Sequence, residues 1–411
     1  MSDGPHDPDE HAARTRRATR WLSLLCAALV THGSLYPWQF AMPTSFADGW
    51  DHMINQRSWW TGLGDVVGNV VLFVPVSVLG WALLRASRAS RASLGARIAA
   101  VLGVGVAFAF VLQVAQIYVP RRDAALSDVV WNTVGLLLGV ALAAPLLRLQ
   151  GPRLSARALR LPLTFIVLWL LLQWWPIVPR LDWQHIKDAL KPLLLYPRWR
   201  PTTAIDAALS LALLAMLLRP LRRRGALLIA LPLVAGAGTL VLEHQYLNLS
   251  RTVGWLCGAV VGSQVWRLPR AAAAVLGAST ALLWFTFDEL RPFQFGESLG
   301  VFHWMPFAAL LEGSLSANTL ALTWQLFWLG VVIVLLHDIG APANGLGVGL
   351  SVWALLLELT QILLPGRTAD ITPALLPWVW CMALPLLQVS LPGAVTKGMP
   401  RVQFNPPRHA P

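Results

Sequence analysis

The chain has 411 residues, of which 56% are hydrophobic and only 13% charged, and its mean hydropathy is +0.58. A soluble chain of this size carries about twice that share of charged residues, so the composition excludes a soluble globular protein and points to a polytopic membrane protein. The net charge of +12 does not indicate a nucleic-acid binder, because the arginines fall in short bursts between apolar runs, which is a topology signal.

In chain order, residues 1–20 read as a polar tail, acidic first and then basic at Arg14, Arg16, Arg17 and Arg20. Apolar runs follow at 21–36, 66–84, 98–119, 128–147, 161–178, 204–218, 226–247, 253–266, 271–288, 320–336, 346–364 and 371–388, and residues 389–411 form a second polar tail. An untilted span needs about 20 residues, so the shorter runs are expected to extend into their loops. The expectation is an all-α bundle of about twelve transmembrane helices. The 21 Trp against 4 Tyr suit rings at the membrane interfaces. Cys26, Cys257 and Cys381 lie in apolar runs without ligand spacing and read as small hydrophobes. No metal, nucleotide or hydrolase motif is present, so no cofactor is expected and an enzyme is not favoured.

Placing the first tail in the cytoplasm puts Arg85, Arg88, Arg91 and Arg97 inside, then Arg148, Arg153, Arg157 and Arg160, then Arg219, Arg222, Arg223 and Arg224, then Arg267 and Arg270. Lys397, Arg401 and Arg408 follow on the same side, so both termini are expected inside. The turns bearing Arg121, Arg122, Arg251 and Arg367 then face outward, where topology alone does not call for basic residues.

The chain also echoes itself. QVAQIYVPRR at 113–122 returns as ELTQILLPGR at 358–367, and YPWQF at 36–40 as RPFQF at 291–295. SRTVGWLCGAVVG at 250–262 follows the pattern of SDVVWNTVGLLLG at 127–139. Three copies of a four-helix unit are expected, at 21–148, 161–268 (degenerate) and 271–388.

At these residues the chain resembles the VanZ-like family of small integral membrane proteins. The resemblance rests on Asn69, Phe73 and Pro75, on Gln113 and Gln116, on Pro120 and Arg122, and on Asp128, Asn132, Gly135 and Gly139. Gln113 stands where Glu is usual and Arg121 where Gly is usual. The third copy keeps Glu358, Gln361, Pro365, Gly366, Arg367 and Asp370, the last read as the counterpart of Asp128, while the middle copy has Arg251 there. The motifs cover about a third of the chain. The resemblance implies a multi-pass protein of the bacterial inner membrane and cell envelope, from a family linked to glycopeptide (teicoplanin) resistance.

Arg122, Asp128, Gln116 and Asn132 can meet near the outer interface, as can Arg367, Asp370, Glu358 and Gln361. One reading is a pocket in which arginine, oriented by Asp128, grips the phosphate or carboxylate of an anionic lipid or lipid-linked saccharide. The other is a polar fastening of the hairpin. Asn69, Gln113, Arg121 and the residues just named form the candidate ligand set. Asp288, Glu289 and Arg291 read as solvated interface. A proton-coupled secondary transporter using Glu358, or a scaffold without a small-molecule site, are the alternatives.

Overall fold

The structure is a computed structural model that describes residues 8–43, 45–55, 63–86, 93–120, 122–148, 159–296, 300–312 and 314–387. Arg121 and the second tail lie outside the described residues. The described residues are all-α apart from a two-stranded parallel pairing and an isolated antiparallel bridge between Pro179 and Leu242.

Helix α1 (Pro8–Leu35) begins well inside the stretch that the sequence presents as tail, because the run from Glu10 to Arg20 is rich in Ala and Arg, strong helix formers that let the turn continue outward. After it come α2 (Phe46–Asn55), α3 (Leu63–Ala86), α4 (Leu94–Gln116) and α5 (Leu126–Arg148). The order long, short, long, long, long recurs in α6 (Arg160–Trp174), α7 (Trp183–Leu194), α8 (Pro201–Leu217), α9 (Arg224–Val241) and α10 (Leu249–Val265). It recurs again in α11 (Arg270–Leu290), α12 (Ala308–Glu312), α13 (Leu315–Asp338), α14 (Ala343–Gln361) and α15 (Thr372–Leu387). Within that last stretch, β1 (Phe302–His303) pairs with β2 (Ala369–Asp370).

The short helices are not visible as apolar runs. In α7 the apolar Ile186 and Ala189 alternate at helical spacing with Lys187, Asp188 and Lys191, which suits a helix lying along an interface rather than through it. Asp182 caps it by accepting from Gln184 N at 3.1 Å.

Seven of the described helices are long and apolar enough to cross a membrane: Val66–Arg85, Leu94–Gln116, Leu126–Ala143, Arg224–Val241, Arg270–Leu290, Ser316–Asp338 and Ala343–Gln361. Three shorter apolar helices, α6, α8 and α15, accompany them. Their outward faces carry exposed Val104, Leu233 and Leu283, apolar surface that belongs against lipid tails.

Close helix pairs explain the glycines. A Cβ on Gly135 would stand 2.2 Å from the Val70 carbonyl oxygen, and one on Gly254 2.4 Å from that of Ala204. Glycine there lets α5 lie against α3, and α10 against α8, backbone to backbone. Helix α13 is apolar all round its sequence LFWLGVVIVLL and is correspondingly enclosed, with Phe327, Trp328, Val331 and Ile333 fully buried. It is the axis of a core that draws Phe165, Trp169, Trp255, Phe285 and Trp380 from α6 to α15. Val30, Phe73, Leu112 and Leu136 form a separate core within α1 to α5.

Candidate functional site

At one end of the bundle, each long first helix turns back beside the end of a later one. Ala41 N donates to Tyr118 O at 2.8 Å, Arg180 N to Val241 O at 2.8 Å, and Gly296 N to Leu363 O at 3.0 Å. Each turn is then strapped by one side chain. Arg122 donates through Nε to Tyr36 O at 3.0 Å and through Nη2 to Gly33 O at 2.8 Å. Arg367 repeats this with Arg291 O at 3.1 Å and Asp288 O. Gln245 makes the single bond a shorter amide can reach, to Trp175 O at 2.8 Å. Partial burial pulls the Arg122 guanidinium below its ordinary value.

The glutamines behind the straps differ in what they meet. Gln113 Oε1 accepts from Ala125 N at 3.0 Å, and its Nε2 donates to Asp128 Oδ2 at 3.3 Å. Glu358 Oε2 accepts from Asp370 N, also at 3.0 Å and across the same separation of 12 residues. Asp370 therefore takes the place of Ala125, not that of Asp128 as the motif suggests. Gln116 Nε2 donates to the Ser34 carbonyl at 2.9 Å, but Gln361 Nε2 donates to Glu289 Oε2 at 2.8 Å. Asp370 Oδ1 in turn caps α15 through Thr372 N at 2.6 Å.

Glu289 is the residue the sequence conceals. It reads as solvated interface beside Asp288 and Arg291, yet it is only 6% exposed, accepting from Gln325 Nε2 at 3.1 Å and facing Arg367 Nη1 at 3.9 Å. Its neighbours do behave as surface: Asp288 and Arg291 pair with each other at 2.5 Å, both part-exposed. No signal in the sequence separates the two, since adjacent residues lie about 100° apart on a helix and only packing decides which carboxylate turns inward. Glu358 is 3% exposed on the facing helix α14.

These groups line a cavity of about 700 Å³ between α11, α13 and α14, walled by Asp288, Glu289, Glu358, Arg367, Asp370 and Trp324. Trp324 is itself held from the middle segment, because its Nε1 and that of Trp284 both donate to Asp206 Oδ1, at 3.1 and 2.9 Å. Asp206, a single carboxylate within the otherwise apolar α8, is a residue the sequence reading passes over.

In the first segment, Gln113 and Gln116 are buried in direct contact with the turn, and Asn132 is buried with its Oδ1 unpaired among the described residues. Asn69 lies half-buried on α3. The guanidinium of Arg122 is held by carbonyls rather than oriented by Asp128. The described residues contain no cluster with metal-ligand composition.

Residues 12–148 match the model of the VanZ/LLP1 family. No curated protein and no solved structure matches the chain.

Proposed function

From the premise of a membrane protein whose residues 12–148 are VanZ-like, we propose that it binds the hydroxyl-rich headgroup of a lipid-linked envelope saccharide in the cavity between α11, α13 and α14. The bilayer concerned is the bacterial inner membrane. The observation that supports this is the company Glu289 and Glu358 keep: two buried carboxylates, the amides of Gln325 and Gln361, and the Trp324 ring around one space of about 700 Å³. Carboxylates accept from hydroxyls, an indole face covers the apolar side of a sugar ring, and the volume lies in the ordinary range for ligand sites, about 300–1,000 Å³. Among the described wall residues carboxylates outnumber the single cation, Arg367, so a bare anionic headgroup is a poorer occupant. A phosphate or carboxylate on the saccharide carrier would meet Arg367.

In this reading the chain holds three copies of one four-helix unit, twelve spans with both termini cytoplasmic, and the ligand site in the third copy alone. What supports it is the matched bonding of Arg122, Gln245 and Arg367, together with Ser34 and Gln113 standing where the third copy has Glu289 and Glu358. The family's link to teicoplanin resistance agrees with a wall-directed saccharide.

Native mass spectrometry of the protein released from its membrane tests the proposal. A glycolipid adduct is expected on the wild type and absent from Glu358→Ala; no adduct on either, or equal adducts on both, overturns it.

One observation favours a second reading, proton-coupled transport: Glu289 and Glu358 are buried acids on facing spans, the placement of proton-handling carboxylates in transporters. Protein in liposomes that moves no saccharide under an imposed proton gradient ends that reading and leaves binding intact. A scaffold without a site predicts that Glu289 and Glu358 variants keep full envelope function.

A further inference from the structure

The end of the bundle opposite the cavity carries a second feature, which the saccharide reading does not use. Helix α1 projects Arg14, Arg16, Arg17 and Arg20, all exposed, immediately outward of exposed Trp21 (57%) and Leu24 (61%). Arg14, Arg17, Trp21 and Leu24 recur at steps of three and four and share one face, with Arg16 and Arg20 forming the neighbouring row. The other side of the same turns is occupied: Ala18 and Thr19 are buried, and α1 packs on α3, α4 and α15. Arg16, Arg17 and Arg20 therefore point away from the protein.

Helix geometry fixes their depth. At about 1.5 Å per residue, Arg14 lies roughly 31 Å from Leu35 along the axis and Arg20 roughly 22 Å, against a hydrocarbon core of about 30 Å. Leu35 is at the strapped end, so Arg14, Arg16 and Arg17 reach the opposite headgroup layer, Arg20 extends up to it, and Trp21 takes the interfacial position suited to indole. A face that is apolar at Leu24, aromatic at Trp21 and cationic beyond is complementary to one lipid molecule lying along it, acyl chain against Leu24 and phosphate among the guanidinium groups.

We infer that this face of α1 is a binding site for anionic phospholipid, in which the arginines hold the headgroup phosphate through paired N–H donors. Topology needs only positive charge on this side of the membrane, wherever it is placed. A lipid site needs it on this face, and that difference is measurable.

The experiment compares three proteins reconstituted in equimolar phosphatidylcholine–phosphatidylglycerol bilayers and released for native mass spectrometry: wild type, Arg16→Gln/Arg17→Gln/Arg20→Gln, and Arg222→Gln/Arg223→Gln/Arg267→Gln. The last removes equal charge from exposed positions in the loops α8–α9 and α10–α11. Retained phosphatidylglycerol is expected to fall about a hundredfold in the α1 variant, in line with the surface contribution of three arginines, and to stay at the wild-type level in the loop variant. Equal retention in all three overturns the inference, as does an equal fall in both variants, which would assign the effect to net charge. Glu358→Ala, which removes the proposed saccharide site, is expected to keep its phosphatidylglycerol, so the two proposals fail separately.

Discussion

Gln361 donates to the carboxylate of Glu289 at 2.8 Å, whereas Gln116, the matching glutamine of the first segment, donates to the backbone carbonyl of Ser34 at 2.9 Å. One strap geometry thus serves two purposes: in the first segment it closes a turn, and in the third it positions a buried acid at the edge of a cavity.

Removing that acid is expected to cost stability as well as ligand. Glu289→Ala leaves the Gln325 and Gln361 donors without their acceptor, at about 1–3 kcal/mol for a stranded buried donor, toward the lower end in a membrane protein where partners re-form. Glu289→Gln keeps an acceptor oxygen and is expected to melt between the wild type and Glu289→Ala. Thermal unfolding followed by tryptophan fluorescence in detergent orders the three; a melting point for Glu289→Ala equal to that of the wild type contradicts the bonding described.

The two arginine straps separate structure from function. Lys cannot reproduce the fork that joins Arg122 to Tyr36 O and Gly33 O, or Arg367 to Arg291 O and Asp288 O, so each Arg→Lys change is expected to destabilise by about 1–3 kcal/mol. Only Arg367→Lys is expected to lose the glycolipid adduct, since only that strap borders the cavity. Loss of the adduct from Arg122→Lys at equal severity would place the site in the first segment.

Helix approach gives a prediction independent of any ligand. Gly135→Ala drives a methyl into the Val70 carbonyl and Gly139→Ala into that of Val74, and overpacking of this kind costs about 1–3 kcal/mol. Gly103→Ala meets nothing within 4 Å and is expected to be neutral or to stabilise α4 by up to about 1 kcal/mol through helix propensity. Parallel melting curves decide this; equal shifts in all three would mean that α3 and α5 are not packed backbone to backbone.

The sequence carries the long helices well because span length and apolarity are local quantities, and α4 at 94–116 or α14 at 343–361 begins and ends within a few residues of its apolar run. It carries the site less well. The motif pairing of Asp370 with Asp128 fails because Asp370 follows Arg367 by three residues, as Ala125 follows Arg122, whereas Asp128 follows Arg122 by six; the hydrogen bonds keep that register, Asp370 N meeting Glu358 as Ala125 N meets Gln113. Glu289 escapes because inward and outward carboxylates at a helix end look identical in one dimension. Asp206 escapes for a different reason: its partners Trp284 and Trp324 are 78 and 118 residues away, on helices that only tertiary packing brings alongside α8.

Orientation in the membrane yields the last prediction. The basic loops and the strapped turns lie at opposite ends of the helices, so a single sidedness experiment tests the whole arrangement. In a background with Cys26, Cys257 and Cys381 changed to Ala, Tyr196→Cys sits exposed between α7 and α8, at the end where Ser250 Oγ donates to Arg198 O close to the Gln245 strap. Arg222→Cys sits exposed between α8 and α9, at the other end. With arginine-rich loops inside, a membrane-impermeant maleimide is expected to label Tyr196→Cys on intact spheroplasts and Arg222→Cys only after lysis. The reverse pattern would put Glu289, Glu358 and Arg367 on the cytoplasmic side, where a saccharide carrier displayed on the outer leaflet could not reach them.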